Sequence, residues 1–164
     1  VNDTCESSVP GVYAVGDVNG GPQFTYISLD DFRIVFGALT GNVQYTLKDR
    51  KNIPYTTFLT PPLARVGLTE EDAINKGYTV KTKEMLVATM PRAHVNDYLK
   101  GAFKIVVNAD NNLILGATLY SQGAEELINL IKMAMDNNIP YTYFKNQIFT
   151  HPTMAENLND LCNF

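Results

Sequence analysis

Two β-rich runs, residues 102–107 and 113–120, are separated by Asn108-Ala109-Asp110-Asn111-Asn112. Asn and Asp side chains accept hydrogen bonds from backbone amides two residues on and tolerate left-handed conformations. Such a stretch between apolar runs predicts a β-hairpin. After Gly123, the residues Ala124, Leu127, Ile128, Ile131, Ala134 and Met135 fall on one face of a helix, broadened by Leu130 and Met133. A hairpin followed by an amphipathic helix must bury one sheet face under helices, which constrains everything around it.

The flanking segments agree. Residues 55–59 and 64–68 are strand-like, broken by Pro61-Pro62. Thr69-Glu70-Glu71-Asp72 opens a short helix with acids in its first turn, closed by Gly77. Residues 78–89 alternate as an exposed strand, residues 91–99 are irregular, and residues 141–145 form a short helical piece. Strands in an antiparallel meander followed by helices argue α+β, an antiparallel sheet with helices packed on it.

Upstream the pattern changes. Residues 11–17, Gly-Val-Tyr-Ala-Val-Gly-Asp, predict a short buried strand ending in a Gly-Asp turn. From residue 25 to 39, Ile27, Leu29, Phe32, Ile34, Val35, Phe36 and Leu39 are too dense for one stripe and predict a helix buried on more than one side, ended by Gly41 and Asn42. The polar run Lys48-Asp49-Arg50-Lys51-Asn52 with Pro54 marks a boundary, giving residues 1–50 and 55–164 as separate parts. The chain opens Val1-Asn2-Asp3 and meets a strand with little before it to pair with, so it is expected to be a piece of a longer protein.

The segment with most chemical content is Thr150-His151-Pro152-Thr153-Met154-Ala155-Glu156, which holds one of two histidines in the chain. Thr153 as N-cap and Glu156 three residues on make a capping box ahead of Leu158 and Leu161. Pro152 biases His151 toward an extended or turn conformation. On spacing alone this is first a helix cap beside an incidental histidine. The sharper alternative is an acid–base pair in which one Glu156 oxygen caps a backbone N–H and the other orients the imidazole. Gly16-Asp17 is by itself ordinary turn chemistry. Its functional alternative is a carboxylate at the carboxyl end of a strand, placed to accept sugar-type hydroxyls.

Composition excludes several classes. The net charge of -4 disfavours nucleic acid or an anionic membrane as partner. No apolar run approaches the ~20 residues of a membrane span, and none has the pattern of a signal peptide. Cys5 and Cys162 lie far apart without metal-ligand spacing, so no metal site is expected and a reducing cytoplasm is the expected home. His94 has no metal-spaced neighbour and is expected on the solvated surface. No Gly-x-Ser-x-Gly elbow accompanies His151, which leaves a hydrolase without its nucleophile.

Four segments in colinear order carry a resemblance: Val12-Tyr13-Ala14-Val15-Gly16-Asp17, Pro62-Leu63-Ala64-Arg65-Val66-Gly67-Leu68-Thr69-Glu70, Leu115-Gly116-Ala117, and His151-Pro152-Thr153-Met154-Ala155-Glu156. Together they resemble the C-terminal part of the pyridine nucleotide-disulfide oxidoreductases, which include glutathione reductase, dihydrolipoamide dehydrogenase and mercuric reductase. Residues 23–31 and Met90-Pro91-Arg92-Ala93 are similar to a bacterial subgroup near mercuric reductase linked to reactive-chlorine stress.

The resemblance implies that residues 1–50 are the tail of an FAD-binding domain, with Gly16 and Asp17 at the flavin's ribityl chain. It implies that residues 55–164 are a homodimerisation domain. It further implies that His151, held by Glu156, reaches into the partner's active site as acid–base for redox thiols, with electrons passing from NAD(P)H through FAD to a disulfide or metal-type acceptor. The family's redox cysteine pair and glycine-rich nucleotide motifs are not among these residues, so the isolated segment is expected to bind neither FAD nor NAD(P)H. Where mercuric reductase has an adjacent cysteine pair, Leu161-Cys162-Asn163-Phe164 has one cysteine, and mercury handling by that route is not expected. The alternative of another class is a non-catalytic association module of the same fold.

Overall fold

The computed structural model describes residues 1–164, which form two compact units, Val1–Lys51 and Asn52–Phe164.

The second unit is α+β. Five antiparallel strands, β1 (Tyr55–Thr57), β2 (Leu63–Gly67), β3 (Val80–Leu86), β4 (Ala102–Asn108) and β5 (Ile114–Tyr120), form one sheet in the order β1-β2-β5-β4-β3. The β4–β5 hairpin closes through its Asn residues. Asn108 Oδ1 accepts the Asp110 N–H at 2.9 Å, Asn111 Oδ1 accepts the Leu113 N–H at 3.0 Å, and Asn112 takes φ of 63°. One sheet face carries Ala64, Val66, Phe103, Ile105, Ala117 and Leu119, all buried. Helix α4 (Ala124–Asp136) lies on β5 and β2 and buries Ala124, Leu127, Ile128, Ile131, Ala134 and Met135. Its spacing is that of one helical stripe. Leu130 is half-buried, and Met133 is 56% exposed.

Three expectations need correction here. The strands are not a simple meander, because β2 lies beside β5 and not beside β3. Gly67 and Gly116 face each other across the β2–β5 ladder. A Cβ on Gly116 would overlap the Leu68 backbone, and one on Gly67 the Leu115 carbonyl. The two strands therefore approach only because neither position has a side chain. Residues 91–99 are not wholly irregular, since Pro91–Val95 form a short helix, α3. Pro91 at its first turn is pre-set for helix, and Met90 and Ala93 are buried beside it. The last helix, α6 (Asn157–Leu161), starts later than the Thr153 cap implies. Its lead-in is wound by tighter bonds, Leu158 N–H to Ala155 O and Asn159 N–H to Glu156 O, both 3.0 Å. Helix α2 (Glu70–Asn75) does have the Thr69 cap, with Asp72 N–H bonded to Thr69 Oγ1 at 3.0 Å. Helix α5 (Tyr141–Asn146) precedes the histidine segment.

In the first unit, helix α1 spans Thr25–Leu39. It buries Ile27, Asp31 and Ile34, while Leu29, Phe32, Phe36 and Leu39 are each more than half exposed. Within this chain it is thus covered on one side only. The expected buried strand at residues 11–17 is also absent. Tyr13 makes a single antiparallel bridge with Glu6, and Val12 and Val15 are exposed. The segment pairs only with residues 5–7, through Ser7 N–H to Val12 O at 2.8 Å and Ala14 N–H to Cys5 O at 2.9 Å, too few rungs for a strand.

The β2–β5 approach yields a test. Gly116→Ala is expected to destabilise the second unit by about 3 kcal/mol or more, since backbone and not a movable side chain must yield. Urea unfolding followed by far-UV circular dichroism measures it. A wild-type midpoint would show that the strands separate freely.

Candidate functional site

His151 and Glu156 are brought together. His151 Nδ1 lies 2.7 Å from Glu156 Oε2. The other oxygen, Oε1, accepts the Thr153 N–H at 3.0 Å, and Thr153 Oγ1 accepts the Glu156 N–H at 3.2 Å. The Thr153 hydroxyl in turn donates to Thr150 O at 2.8 Å. The reciprocal bonds of a capping box are formed, although regular helix begins one residue beyond Glu156. The His151–Pro152 peptide is cis. Asn157, 1% exposed, donates from Nδ2 to Thr153 O and Met154 O, both 3.2 Å, and holds the returning half of the turn.

The hydrogen bond from His151, helped by the Thr153 N–H, keeps the Glu156 carboxyl below the usual glutamate range against partial desolvation. It is therefore a carboxylate at neutral pH and can only accept. His151 Nδ1 must carry the hydrogen, which assigns the neutral ring its tautomer and leaves Nε2 as the basic nitrogen. The imidazole side chain is 68% exposed and Glu156 19%. This is an imidazole fixed at one nitrogen and presented at the other, a geometry able to take a proton at Nε2 while the carboxylate stabilises the resulting cation.

Gly16 and Asp17 lie in the first unit, in a 3₁₀ turn, Gly16–Asn19. Gly16 is buried with φ of 73°, and its N–H donates to Asp31 Oδ2 at 2.7 Å. Asn19 Nδ2 donates to the same oxygen at 2.7 Å, and Arg50 Nη2 holds Asp31 Oδ1. Arg50 Nε also pairs with Asp30 at 2.8 Å. Asp31 is fully buried. It was missed in the sequence, where the one signal was an acidic pair, Asp30-Asp31, inside an apolar helix. The turn it anchors presents Asp17 as an exposed carboxylate. An exposed carboxylate at that place can accept hydrogen bonds from hydroxyl groups.

The remaining candidates separate from chemistry. His94 is exposed, with Nε2 at 2.8 Å from Ala88 O. Cys162 is fully buried, and burial pushes its thiol up to about 12 despite the opposing attraction of Lys83. Such a thiol is a poor nucleophile. No group of three or more His, Cys, Asp or Glu side chains is placed to hold a metal ion. No helix is long and apolar enough to cross a membrane.

Comparison with known proteins bears on this geometry. Residues 53–162 match the pyridine nucleotide-disulphide oxidoreductase dimerisation domain. Over 161 residues the chain is 46% identical to the probable pyridine nucleotide-disulfide oxidoreductase RclA of Escherichia coli K12, covering 98% of this chain and 36% of that protein. It is 35% identical over 157 residues to mercuric reductase of Staphylococcus aureus, covering 96% of this chain and 28% of that one. Among solved structures, the HOCl-induced flavoprotein disulfide reductase RclA from Escherichia coli superposes with a TM-score of 0.96 at 46% identity, over 99% of this chain and 37% of that one. Its Cu(II) complex superposes equally well. The chain spans about a third of the length of these relatives.

The lowered Glu156 carboxyl sets a pH dependence. A folded-state value below the unfolded one contributes stability that is present above the ordinary carboxylate range and lost as pH falls through the lowered value. Unfolding midpoints of wild type and Glu156→Gln are expected to differ at about pH 6 and to converge on acidification well below about 4.3, the ordinary glutamate value. A gap unchanged at about pH 3, beneath that value, would contradict the carboxylate assignment.

Proposed function

The chain belongs to the pyridine nucleotide-disulphide oxidoreductases and carries their dimerisation domain, and from that premise we propose that it is the C-terminal part of an FAD-dependent, homodimeric oxidoreductase. In this reading the full-length enzyme passes electrons from NAD(P)H through FAD to a pair of redox thiols, and from them to a disulfide or metal-type acceptor. Residues 1–50 end the FAD-binding domain, and residues 55–164 dimerise. The enzyme works in the reducing cytoplasm, in keeping with two free cysteines. The solved Cu(II) complex of the related RclA supports retaining metal-type acceptors beside disulfides.

The observation that carries the proposal is the His151 Nδ1–Glu156 Oε2 bond of 2.7 Å on a ring that is otherwise 68% exposed. The carboxylate holds the ring at Nδ1, and the exposure of the rest leaves Nε2 open to a reacting group. Here Nε2 takes the proton from a thiol of the partner subunit's redox pair, generating the nucleophilic thiolate. It returns that proton to the leaving sulfur when an acceptor disulfide is reduced. Glu156 fixes the tautomer and stabilises the imidazolium between those two steps. Asp17 would accept hydroxyl hydrogen bonds from the ribityl chain of a bound flavin and so help to hold it. When bound, FAD supplies the two-electron relay between nicotinamide and thiols.

The surface of the second unit supports association. Ile148 is 95% exposed, Phe58 79%, Met133 56%, Tyr143 55% and Leu59 52%. Large apolar side chains left in water are the material of an obligate interface, which buries roughly 2,000–5,000 Å².

Two outcomes follow. In the full-length enzyme, His151→Ala is expected to lower turnover with a disulfide acceptor by roughly 10²–10⁴-fold, the usual contribution of a positioned acid–base group. Glu156→Gln should cost less, because it keeps a cap but not the charge. Wild-type turnover in His151→Ala with chemistry rate-limiting would rule the role out. Separately, residues 53–164 expressed alone should sediment as a dimer at micromolar concentration, with little change on adding salt. A monomer there would remove the physical basis for an active site shared between subunits.

A further inference from the structure

On the reading that His151 is the acid–base group, we propose that Asn159 is the residue that positions it, by tying together the two feet of the loop that carries the imidazole. This loop, residues 148–156, leaves from the end of α5 and returns at the start of α6. Phe149, Met154 and Ala155 of this loop rest against the core, while at its tip Ile148 is 95% exposed and the one polar contact of the His151 ring is to Glu156. Where the ring sits in a partner's site depends on those contacts and on where the two feet are held.

Asn159 lies in the middle of α6, one helical turn after Glu156. Its Nδ2 donates to Phe144 O at 2.6 Å and to Gln147 O at 2.9 Å, with Lys145 O at 3.3 Å. An amide nitrogen carries two hydrogens, so the two shorter bonds use both. The acceptors lie at the end of α5, where Phe144 O also takes the long Gln147 N–H bond of 3.4 Å and the Gln147 carbonyl is already beyond the helix. Gln147 is the last residue before the exposed loop, and its backbone has already turned extended, with ψ of 146°. One side chain on the returning helix thus grips the departing strand of the loop at its root.

The other contacts between these segments are apolar. Phe144, Leu158 and Leu161 pack in the core, and Tyr141 meets Phe164 edge-on at 4.9 Å between centroids. Apolar contacts give adhesion without register. Directional bonds to named carbonyls give register, and a donor is required: a carboxylate or an alkyl group at 159 cannot make them. A loss of register of about 1 Å at a reacting group costs on the order of 10²-fold in rate.

Asn159→Leu, near-isosteric but without a donor, is the test in the full-length flavoprotein. The NAD(P)H-to-flavin step and the acceptor step are timed separately by stopped flow, and the pH titration of the His151 Cε1–H signal is followed by NMR with labelled histidine. The proposal expects the acceptor step to fall by roughly 10- to 100-fold, flavin reduction and dimer mass to stay unchanged, and the His151 titration to shift or broaden. An unchanged acceptor step, an equal loss in both steps, or a His151 titration identical to wild type overturns it. If His151→Ala itself shows wild-type turnover, the acid–base reading falls, and the His151 titration in Asn159→Leu alone decides whether Asn159 positions the ring. If Asn159→Leu does not fold, Asn159→Ser, too short to reach Phe144 and Gln147, is judged by the same three readouts.

Discussion

The close approach of β2 to β5 at the Gly67–Gly116 pair is what the second unit depends on. Hydrogen bonding brings strands to a fixed spacing, but here Leu68 continues past the ladder and folds against Gly116, with its N–H bonded to Leu115 O at 2.9 Å. Only two facing hydrogens leave room for that. The consequence is topological. With β2 joined to β5, the sheet gains a central pair on which α4 can lie, and the stripe from Ala124 to Met135 has a flat apolar floor of Ala64, Val66, Ala117 and Leu119. Once α4 is seated, the chain leaves it at Asn137 and Asn138. The following segment is tied back to the hairpin, where Leu113 bridges Pro140 and the Tyr141 N–H bonds Asn112 O at 3.0 Å. The histidine loop thus starts from a point fixed by the same hairpin that organises the sheet.

From that point the loop is built by dividing the capacity of a few polar groups. Glu156 has two oxygens, and each has a separate task, one for the Thr153 amide and one for the imidazole. Thr153 gives its N–H to Glu156, its oxygen to the Glu156 N–H, and its hydroxyl hydrogen to Thr150. Every bond is local in sequence, so the turn can form with little loop-closure cost. The same economy governs Asp31 in the first unit. It gathers the Gly16 N–H, the Asn19 amide and the Arg50 guanidinium around one buried carboxylate. Burying that charge is costly on its own, and the guanidinium with two neutral donors compensates it. What the arrangement secures is the geometry of a glycine turn.

The sequence was legible where one periodicity governed one layer. The α4 stripe, the Asn-rich hairpin and the bounds of α1 needed only local rules. The Glu156–His151 bond could be anticipated because both its residues lie within one turn. What resisted was non-local. The placement of β2 beside β5 rests on glycines at 67 and 116, which are far apart in sequence and silent in any hydrophobic pattern. The strand expected at residues 11–17 has the composition of a buried strand, but burial needs neighbours, and residues 5–7 supply only two rungs. The dense apolar residues of α1 predict burial on several sides, yet Leu29, Phe32, Phe36 and Leu39 are exposed in this chain. Asn159 escaped notice for the opposite reason. An asparagine on a short polar helix is unremarked in sequence, and only the folded chain shows its amide against the carbonyls of Phe144 and Gln147.

The exposure of the imidazole has an electrostatic consequence. A carboxylate and an imidazolium in contact at a wet surface attract weakly, because water screens them and competes for the same hydrogen bonds. The interaction strengthens several-fold when the effective dielectric falls toward that of a protein interior. In the chain by itself, the bond to Glu156 serves to orient the His151 ring. Covering the ring with a partner's surface would change that balance without moving an atom of the pair. Burial would at the same time desolvate the imidazolium, and the 2.7 Å bond to Glu156 is the contact available to offset that cost. Under the proposed assembly, dimerisation does more than deliver the histidine to its target. It also removes water from the ring, which raises both the attraction between the pair and the cost of charging it, so the Glu156 carboxylate becomes a condition for the histidine's working there.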